Sequence, residues 1–162
     1  MVRITSATED DIPQILEIER EAISPPWTHG ALLGEIYRED SFFAVANINN
    51  ELRIPNNEII LVGFVILRRM GGEGELLQIA VDKAERRRGV ADSLMGAALR
   101  YAMTNSLLSI FLEVRKSNGA AIALYKKHGF KTLRLRKDYY CSPVEDAVVM
   151  ARECGTNEPA DE

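Results

Sequence analysis

The residue types best suited to chemistry lie in one stretch, Leu77-Gln-Ile-Ala-Val-Asp-Lys-Ala-Glu-Arg-Arg-Arg-Gly-Val-Ala-Asp92. An apolar run reads as a strand, a basic loop follows it, and Gly89 opens a helical pattern. The first backbone N–H groups of a helix lack partners inside it, and the helix dipole adds about half a positive charge there. A phosphate group satisfies both. Gly89 lets the backbone approach such a ligand closely, Ala91 keeps the way clear, and Arg86, Arg87 and Arg88 bring charge. As a bare pattern, Arg-x-x-Gly-x-Ala describes a solvated basic loop equally well. It is neither the Gly-x-x-x-x-Gly-Lys-Ser/Thr phosphate loop nor the Gly-x-Gly-x-x-Gly dinucleotide fingerprint.

A second group of residues suits proton transfer. Along Leu108 to Val114, the side chains of Leu108, Ile110, Leu112 and Val114 share one face of a strand, and Glu113 shares the other with Phe111. A partly desolvated carboxylate there can accept a proton, and a strand-end carboxylate in water satisfies the pattern too. Tyr125 falls four residues after Ala121 on a helical face with Leu124 and His128. It reads as a core tyrosine or as a proton donor. His29 and His128 have no metal-ligand spacing, Cys141 has no recognisable base partner, and no metal is expected. Trp27, after Pro25-Pro26, reads as a hydrophobic plug.

The elements that must hold these residues alternate. Val2 to Ile4 reads as a strand. A helix capped by Asp10 or Asp11 carries Ile12, Ile15, Leu16, Ile18 and Ala22 at helical spacing. Ser24-Pro-Pro-Trp27 breaks it, and Thr28 caps a second helix through Leu32, Leu33 and Ile36. Ser41 to Ala46 and Glu58 to Arg69 read as strands joined by the polar Asn47 to Asn57 loop, and Leu76 to Val81 as another strand after a Gly71-to-Gly74 turn. A helix over Arg87 to Thr104, a strand over Leu108 to Val114, a helix over Asn118 to His128 and strands over Phe130 to Leu135 and Ala147 to Ala151 complete the pattern. Strands alternating with helices predict an α/β domain around one mixed sheet with helices on both faces.

Composition bounds the function. The 162 residues suit one domain, 46% are hydrophobic and 27% charged, as in ordinary globular chains. The net charge is −4, but Arg152 against Glu153, Glu158, Asp161 and Glu162 concentrates most of it at the end, leaving the body near −1. No global field therefore argues for nucleic acid or an anionic membrane. The basic blocks Lys83 to Arg88 and Lys126 to Lys137 read as solvated faces unless a ligand claims them. The longest apolar run, Ile59 to Leu67, is too short to span a bilayer. The N-terminus lacks a secretory layout, and two isolated cysteines fit a reducing cytoplasm. The expected organisation is one domain over 1–152 and an acidic, disordered tail over 153–162.

Taken together, the motifs resemble a known family. Gln78-Ile-Ala-Val-Asp82 leading to Arg86-Arg-Arg-Gly-Val-Ala91 is similar to the acetyl-CoA loop of the GNAT acyltransferases. Leu112-Glu-Val-Arg-Lys-Ser-Asn118 and Ala120-Ala-Ile-Ala-Leu-Tyr-Lys-Lys-His-Gly-Phe130 resemble its RimI-type branch, the ribosomal-protein-alanine N-acetyltransferases. Ser24-Pro-Pro-Trp-Thr28, Asp138-Tyr-Tyr140 and Glu145-Asp-Ala147 follow the branch in the same order. The resemblance implies a single-domain GNAT fold using acetyl-CoA as co-substrate without a metal. It implies that Ile79, Ala80 and Val81 hold the pantetheine arm by backbone bonds. Arg87, Arg88, Gly89, Val90, Ala91 and Asp92 would enclose the pyrophosphate, and Asn118 would contact the cofactor. Glu113 would be the proton acceptor and Tyr125 the proton donor, while Trp27, Tyr139 and Tyr140 would frame the acceptor groove. The implied acceptor is a protein N-terminal α-amine, in the branch that of alanine on a small-subunit ribosomal protein. A lysine side chain, a small-molecule amine, or acetyl-CoA sensing without turnover are the alternatives. Lys83 stands where the family usually has proline, Gln78 where asparagine is common, and Asp92 brings a negative charge to the phosphate turn.

Overall fold

A computed structural model of the chain describes residues 1–23, 25–49 and 59–155. The expected Asn47 to Asn57 loop lies mostly outside the described residues, as does the tail from residue 156. Seven strands form one mixed sheet in the order β1-β2-β3-β4-β5-β7-β6. In chain order they are β1 (Val2–Ser6), β2 (Ser41–Asn49), β3 (Ile59–Met70), β4 (Glu73–Val81), β5 (Ser109–Arg115), β6 (Lys131–Cys141) and β7 (Val144–Glu153). The helices are α1 (Ile12–Ala22), α2 (His29–Ile36), α3 (Val90–Thr104) and α4 (Gly119–Lys127). This is the α/β class expected. Among the described residues no helix is long and apolar enough to cross a membrane.

The chain packs as two compact units, Met1–Arg68 with Leu76–Leu99, and Arg69–Glu75 with Arg100–Glu162. In the first, β1 pairs antiparallel with β2 and β2 with β3, the latter with an irregularity between Ala46 and Asn47. Its core gathers Ile12, Ile15 and Ile18 of α1, Leu32 of α2, and Phe43, Val45, Leu61, Phe64 and Ile66 of the strands. Each such side chain contributes about 1.5–3 kcal/mol on leaving water. The helical stripe expected on α1 is corrected at two positions: Ala22 is exposed and Glu19 is buried. Thr28 caps α2 as expected, its Oγ1 accepting from the Ala31 N–H at 3.1 Å. Gly63 on β3 meets a close approach, since a Cβ there would lie 2.8 Å from the Ala80 carbonyl oxygen of β4.

In the second unit β4 and β5 run parallel over Glu73–Glu75, while β7 pairs antiparallel with both β5 and β6. Ile110, Leu112 and Val114 are buried as the alternation required, but Leu108, expected on the same face, precedes the strand and is exposed. Strand β6 runs to Cys141, well past the expected Leu135, and β7 runs from Val144 to Glu153. Their antiparallel pairing supplies the hydrogen bonds that carry polar residues through the extension. Strand β7 ends at Glu153, one residue past Arg152. Cys154 is buried, and its N–H donates to the Leu108 carbonyl at 2.9 Å.

Candidate active site

In the first unit the chemistry is built from backbone. Strand β4 ends at Val81, and Asp82 turns the chain, its carboxylate accepting from the Ala84 N–H at 2.8 Å. Arg86 Nε donates to the Val81 carbonyl at 3.2 Å, and Arg88 donates to the buried Glu85 carboxylate at 3.1 Å. Two of the three arginines thus brace the loop. Arg87 has φ 62° and Gly89 φ 80°, both left-handed, so the helix expected from Arg87 starts only at Val90. The Gly89 carbonyl accepts from the Ser93 N–H at 3.1 Å and closes the first helical turn. The N–H groups of Val90, Ala91 and Asp92 are then the ones a helix leaves without internal partners. A Cβ on Gly89 would meet nothing within 4 Å, so the glycine answers to its φ and not to crowding. Asp92 is half-buried in that first turn, where an acidic side chain complements the helix dipole. Upstream, Ile79 is half-buried and Ala80 and Val81 are buried in β4.

Trp27 belongs to the same unit. It packs half-buried against the α1–α2 core, the plug expected of it. Its backbone N–H donates to Glu19 Oε2 at 2.8 Å.

In the second unit the chemistry is built from side chains. Glu113 on β5 pairs in register with Val149 of β7. Its Oε1 accepts from Arg136 Nη1 at 2.5 Å, and the Arg136 guanidinium lies 4.3 Å from the centre of the Tyr139 ring. A hydrogen bond to Glu113 pushes the Tyr139 hydroxyl above its ordinary value, with burial adding to it. The Tyr139 and Tyr140 rings meet edge to face at 5.1 Å. Neighbours on a regular strand point to opposite faces. Here the register is irregular between Arg136 and Tyr140 and Asp138 has φ 52°, which brings the two rings together. Arg115 lies 4.3 Å over the Tyr140 ring, and its guanidinium donates to the Pro143 carbonyl at 3.1 Å. Burial first, then the Glu113 charge, push the Tyr140 hydroxyl up to about 12.

Tyr125 on α4 is buried, with its ring 5.9 Å from that of Phe130. Burial, with a smaller contribution from Tyr140, holds its hydroxyl far above the ordinary tyrosine value and so protonated. Asn118 caps α4, its Oδ1 accepting from the Ala121 N–H at 3.1 Å. Glu113 also lines a cavity of about 260 Å³ with Glu73, Glu75, Phe111 and Arg134. A carboxylate at a cavity wall and a buried phenol kept neutral are the parts that proton removal and proton delivery require.

The structure thus brings Arg136 and Tyr139 to the Glu113 carboxylate and sets the Tyr140 ring against that of Tyr139, while Tyr125 packs against Phe130. Arg136 and Arg115 were missed. Both stood in the sequence beside residues already singled out, but Arg136 sat in a basic block read as a solvated face. His29 opens α2 and His128 ends α4, and among the described residues no cluster of histidine, cysteine and acidic side chains is placed to hold a metal.

Comparison with known proteins places the chain in a family. Residues 12–130 match the model of the acetyltransferase (GNAT) family, and the chain belongs to that family. It is an N-acetyltransferase by its relatives. It is 32% identical over 151 residues to a [ribosomal protein bS18]-alanine N-acetyltransferase of Haemophilus ducreyi, covering 91% of this chain and 97% of that one. It is 33% identical over 154 residues to an N-alpha-acetyltransferase of Saccharolobus solfataricus, covering 92% and 91%. The crystal structure of the ribosomal-protein-S18-alanine N-acetyltransferase from Escherichia coli superposes with a TM-score of 0.83 at 27% identity, covering 100% and 99% of the two chains.

Proposed function

We propose that this enzyme transfers the acetyl group of acetyl-CoA to the α-amine of a protein N-terminus, an N-terminal alanine of a small-subunit ribosomal protein being the favoured acceptor. The observation that carries the reading is a carboxylate, Glu113, on the wall of a cavity, beside which α4 supplies a buried tyrosine, Tyr125, that keeps its proton. Relatives named for bS18 alanine and for N-alpha acetylation in general agree on the α-amine and support it.

Each residue has a task in the proposed reaction. The N–H groups of Val90 to Asp92, with Gly89, Arg87 and Arg88, take the pyrophosphate. The Ile79–Val81 backbone holds the pantetheine arm, Asn118 touches the cofactor, and the Ile79 N–H polarises the thioester carbonyl. An α-ammonium titrates near pH 8 (about 7.7–8.0), so at neutral pH most acceptor must lose a proton before it can attack. Glu113 takes that proton, directly or through water. The neutral amine adds to the thioester carbonyl, the C–S bond breaks, and Tyr125 protonates the departing CoA thiolate; the nitrogen gives its remaining extra proton to water, and Tyr125 regains a proton from solvent. Trp27, Tyr139 and Tyr140 frame the acceptor. The transfer is direct, with no covalent acyl-enzyme and no metal, and holding amine and thioester together supplies much of the rate.

The test is release of free CoA thiol with a panel of peptides, followed by mass spectrometry. The expected result is acetylation of the α-amine of a peptide with N-terminal alanine. Modification confined to lysine side chains would replace the reading with its lysine alternative, and binding without thiol release would replace it with a sensor.

A further inference from the structure

Glu19 breaks the rule of its own helix. It lies on the core-facing side of α1 with Ile12, Ile15 and Ile18, and it is 0% exposed. A leucine there would extend the apolar stripe, whereas a carboxyl must be desolvated. Its hydrogen bonds go to neutral donors. Oε2 accepts from the Trp27 N–H at 2.8 Å, and the side chain of Gln78, itself buried on β4, bonds to the same carboxyl. Glu19 Oε1 and Gln78 Oε1 find no hydrogen-bond partner among the described residues. Burial pushes the carboxyl above the ordinary glutamate value, against the pull of those bonds. A local conflict of this kind, kept in an otherwise consistent core, is where function is to be sought.

Glu19 joins three segments of one unit. It stands in the last turn of α1, Trp27 follows eight residues later just before α2, and Gln78 immediately precedes Ile79 on β4. We infer that Glu19 is a positioning residue for acyl transfer, its carboxyl tying the Trp27 backbone to β4 through Gln78 so that the acceptor-framing tryptophan and the pantetheine strand keep a fixed relation. This rests on the roles assigned above to Trp27 and Ile79–Val81. It assigns Glu19 no contact with substrate.

The experiment compares Glu19→Leu with Glu19→Gln. Leucine fills the space but offers the Trp27 N–H no acceptor. Glutamine offers one, and its amide can also donate to Gln78 Oε1. Trp27 is the only tryptophan of the chain, so its fluorescence reports on the tie without any need for turnover. Glu19→Leu should shift the emission and raise acrylamide quenching, while Glu19→Gln stays at the wild-type values. With an N-terminal alanine peptide, KM should rise about 10-fold in Glu19→Leu, because the untied Trp27 no longer frames the acceptor; that is a change of about 1.4 kcal/mol. Acetyl-CoA affinity should stay within roughly 2-fold, a change worth well under one hydrogen bond. Should Glu19→Leu not fold, Gln78→Leu cuts the other tie and must change quenching and peptide KM in the same direction. Wild-type quenching and KM in a folded Glu19→Leu would overturn the inference. Loss of those properties in Glu19→Gln as well would also overturn it, because the glutamine keeps the proposed bond. If the wild-type protein left every α-amine unmodified, the acceptor assignment would fall, while the quenching comparison would still decide the tie.

Discussion

The Arg86–Asp92 loop and the Glu113 cluster would serve one reaction, yet they are built on opposite plans. The loop is continuous in sequence, and the groups proposed to take its ligand are main-chain N–H groups shaped by left-handed φ at Arg87 and Gly89. Two of its arginines point their hydrogen bonds inward, to Val81 and Glu85. The cluster draws Glu113 from β5, Tyr125 from α4 and Arg136, Tyr139 and Tyr140 from β6, and its working groups are side-chain tips. A site made of backbone should tolerate exchanged side chains and fail when the main chain is disturbed. A site made of side chains should fail by the single functional group.

The most severe break is therefore Glu113→Gln, which keeps shape and removes the proposed proton acceptor. Proton transfer by a placed side chain contributes roughly 10²–10⁴-fold, and single-turnover acetyl transfer at neutral pH should fall by about that much. Acetyl-CoA affinity measured by calorimetry should hardly change. Raising the pH should recover part of the loss, because more acceptor amine is then neutral without help. A wild-type single-turnover rate in this variant would remove Glu113 from the chemistry.

The loop should show the reverse pattern. Gly89→Glu puts a negative charge and a Cβ at φ 80°, where L side chains are strained by about 1–2 kcal/mol. Acetyl-CoA affinity should drop about 10-fold or more from strain and repulsion together. Gly89→Ala, which adds strain without charge, should lose less. Unchanged affinity in a folded Gly89→Glu protein would return the loop to a solvated turn.

The same contrast explains what could be read in the amino-acid sequence. The loop was legible because its strand, turn glycine and helix start are neighbours in the chain, and only its helix start slipped, from Arg87 to Val90. The left-handed Arg87 accounts for that slip, since a non-glycine residue gives no sign of positive φ. Glu113 and Tyr125 were legible only through resemblance to a family. Arg136 was not legible at all, because its bond to Glu113 depends on pairing residues 23 apart across β5, β7 and β6. The irregular register beyond Arg136, which seats Tyr139 against Tyr140, also left no mark in the hydrophobic pattern. Glu19 was hidden for a related reason: on a helical wheel a glutamate beside apolar positions passes for the edge of the polar face.

A milder break separates acid from base within the cluster. Tyr125→Phe removes the hydroxyl proposed to protonate the CoA thiolate. Thiolates leave without help more readily than amines take up acyl groups while protonated, so the loss should be near the lower end of general-acid effects, about 10²-fold or less. High pH should rescue it less than it rescues Glu113→Gln. Equal rescue of the two variants would mean that they do not divide the acid and base roles.

The smallest effect concerns stability at alkaline pH and involves two tyrosines of the side-chain site, Tyr125 and Tyr140. Burial pushes Tyr140 up to about 12 and raises Tyr125 further, whereas an unfolded tyrosine titrates near its ordinary value of about 10. Below that value both states hold the proton, and the tyrosines add no pH dependence. Above it the unfolded chain releases its phenolic protons first while the folded protein keeps them, so stability declines as pH climbs from about 10 towards 12. Thermal melts of the wild type should therefore be flat in this respect between pH 6 and 9 and fall above about pH 10. Tyr140→Phe should fall less steeply, because it removes one of the protons released on unfolding, and Tyr125→Phe should do the same. Parallel melting curves for the wild type and both variants from pH 9 to 11.5 would show that neither hydroxyl is held in the neutral state that Tyr125 needs as the acid.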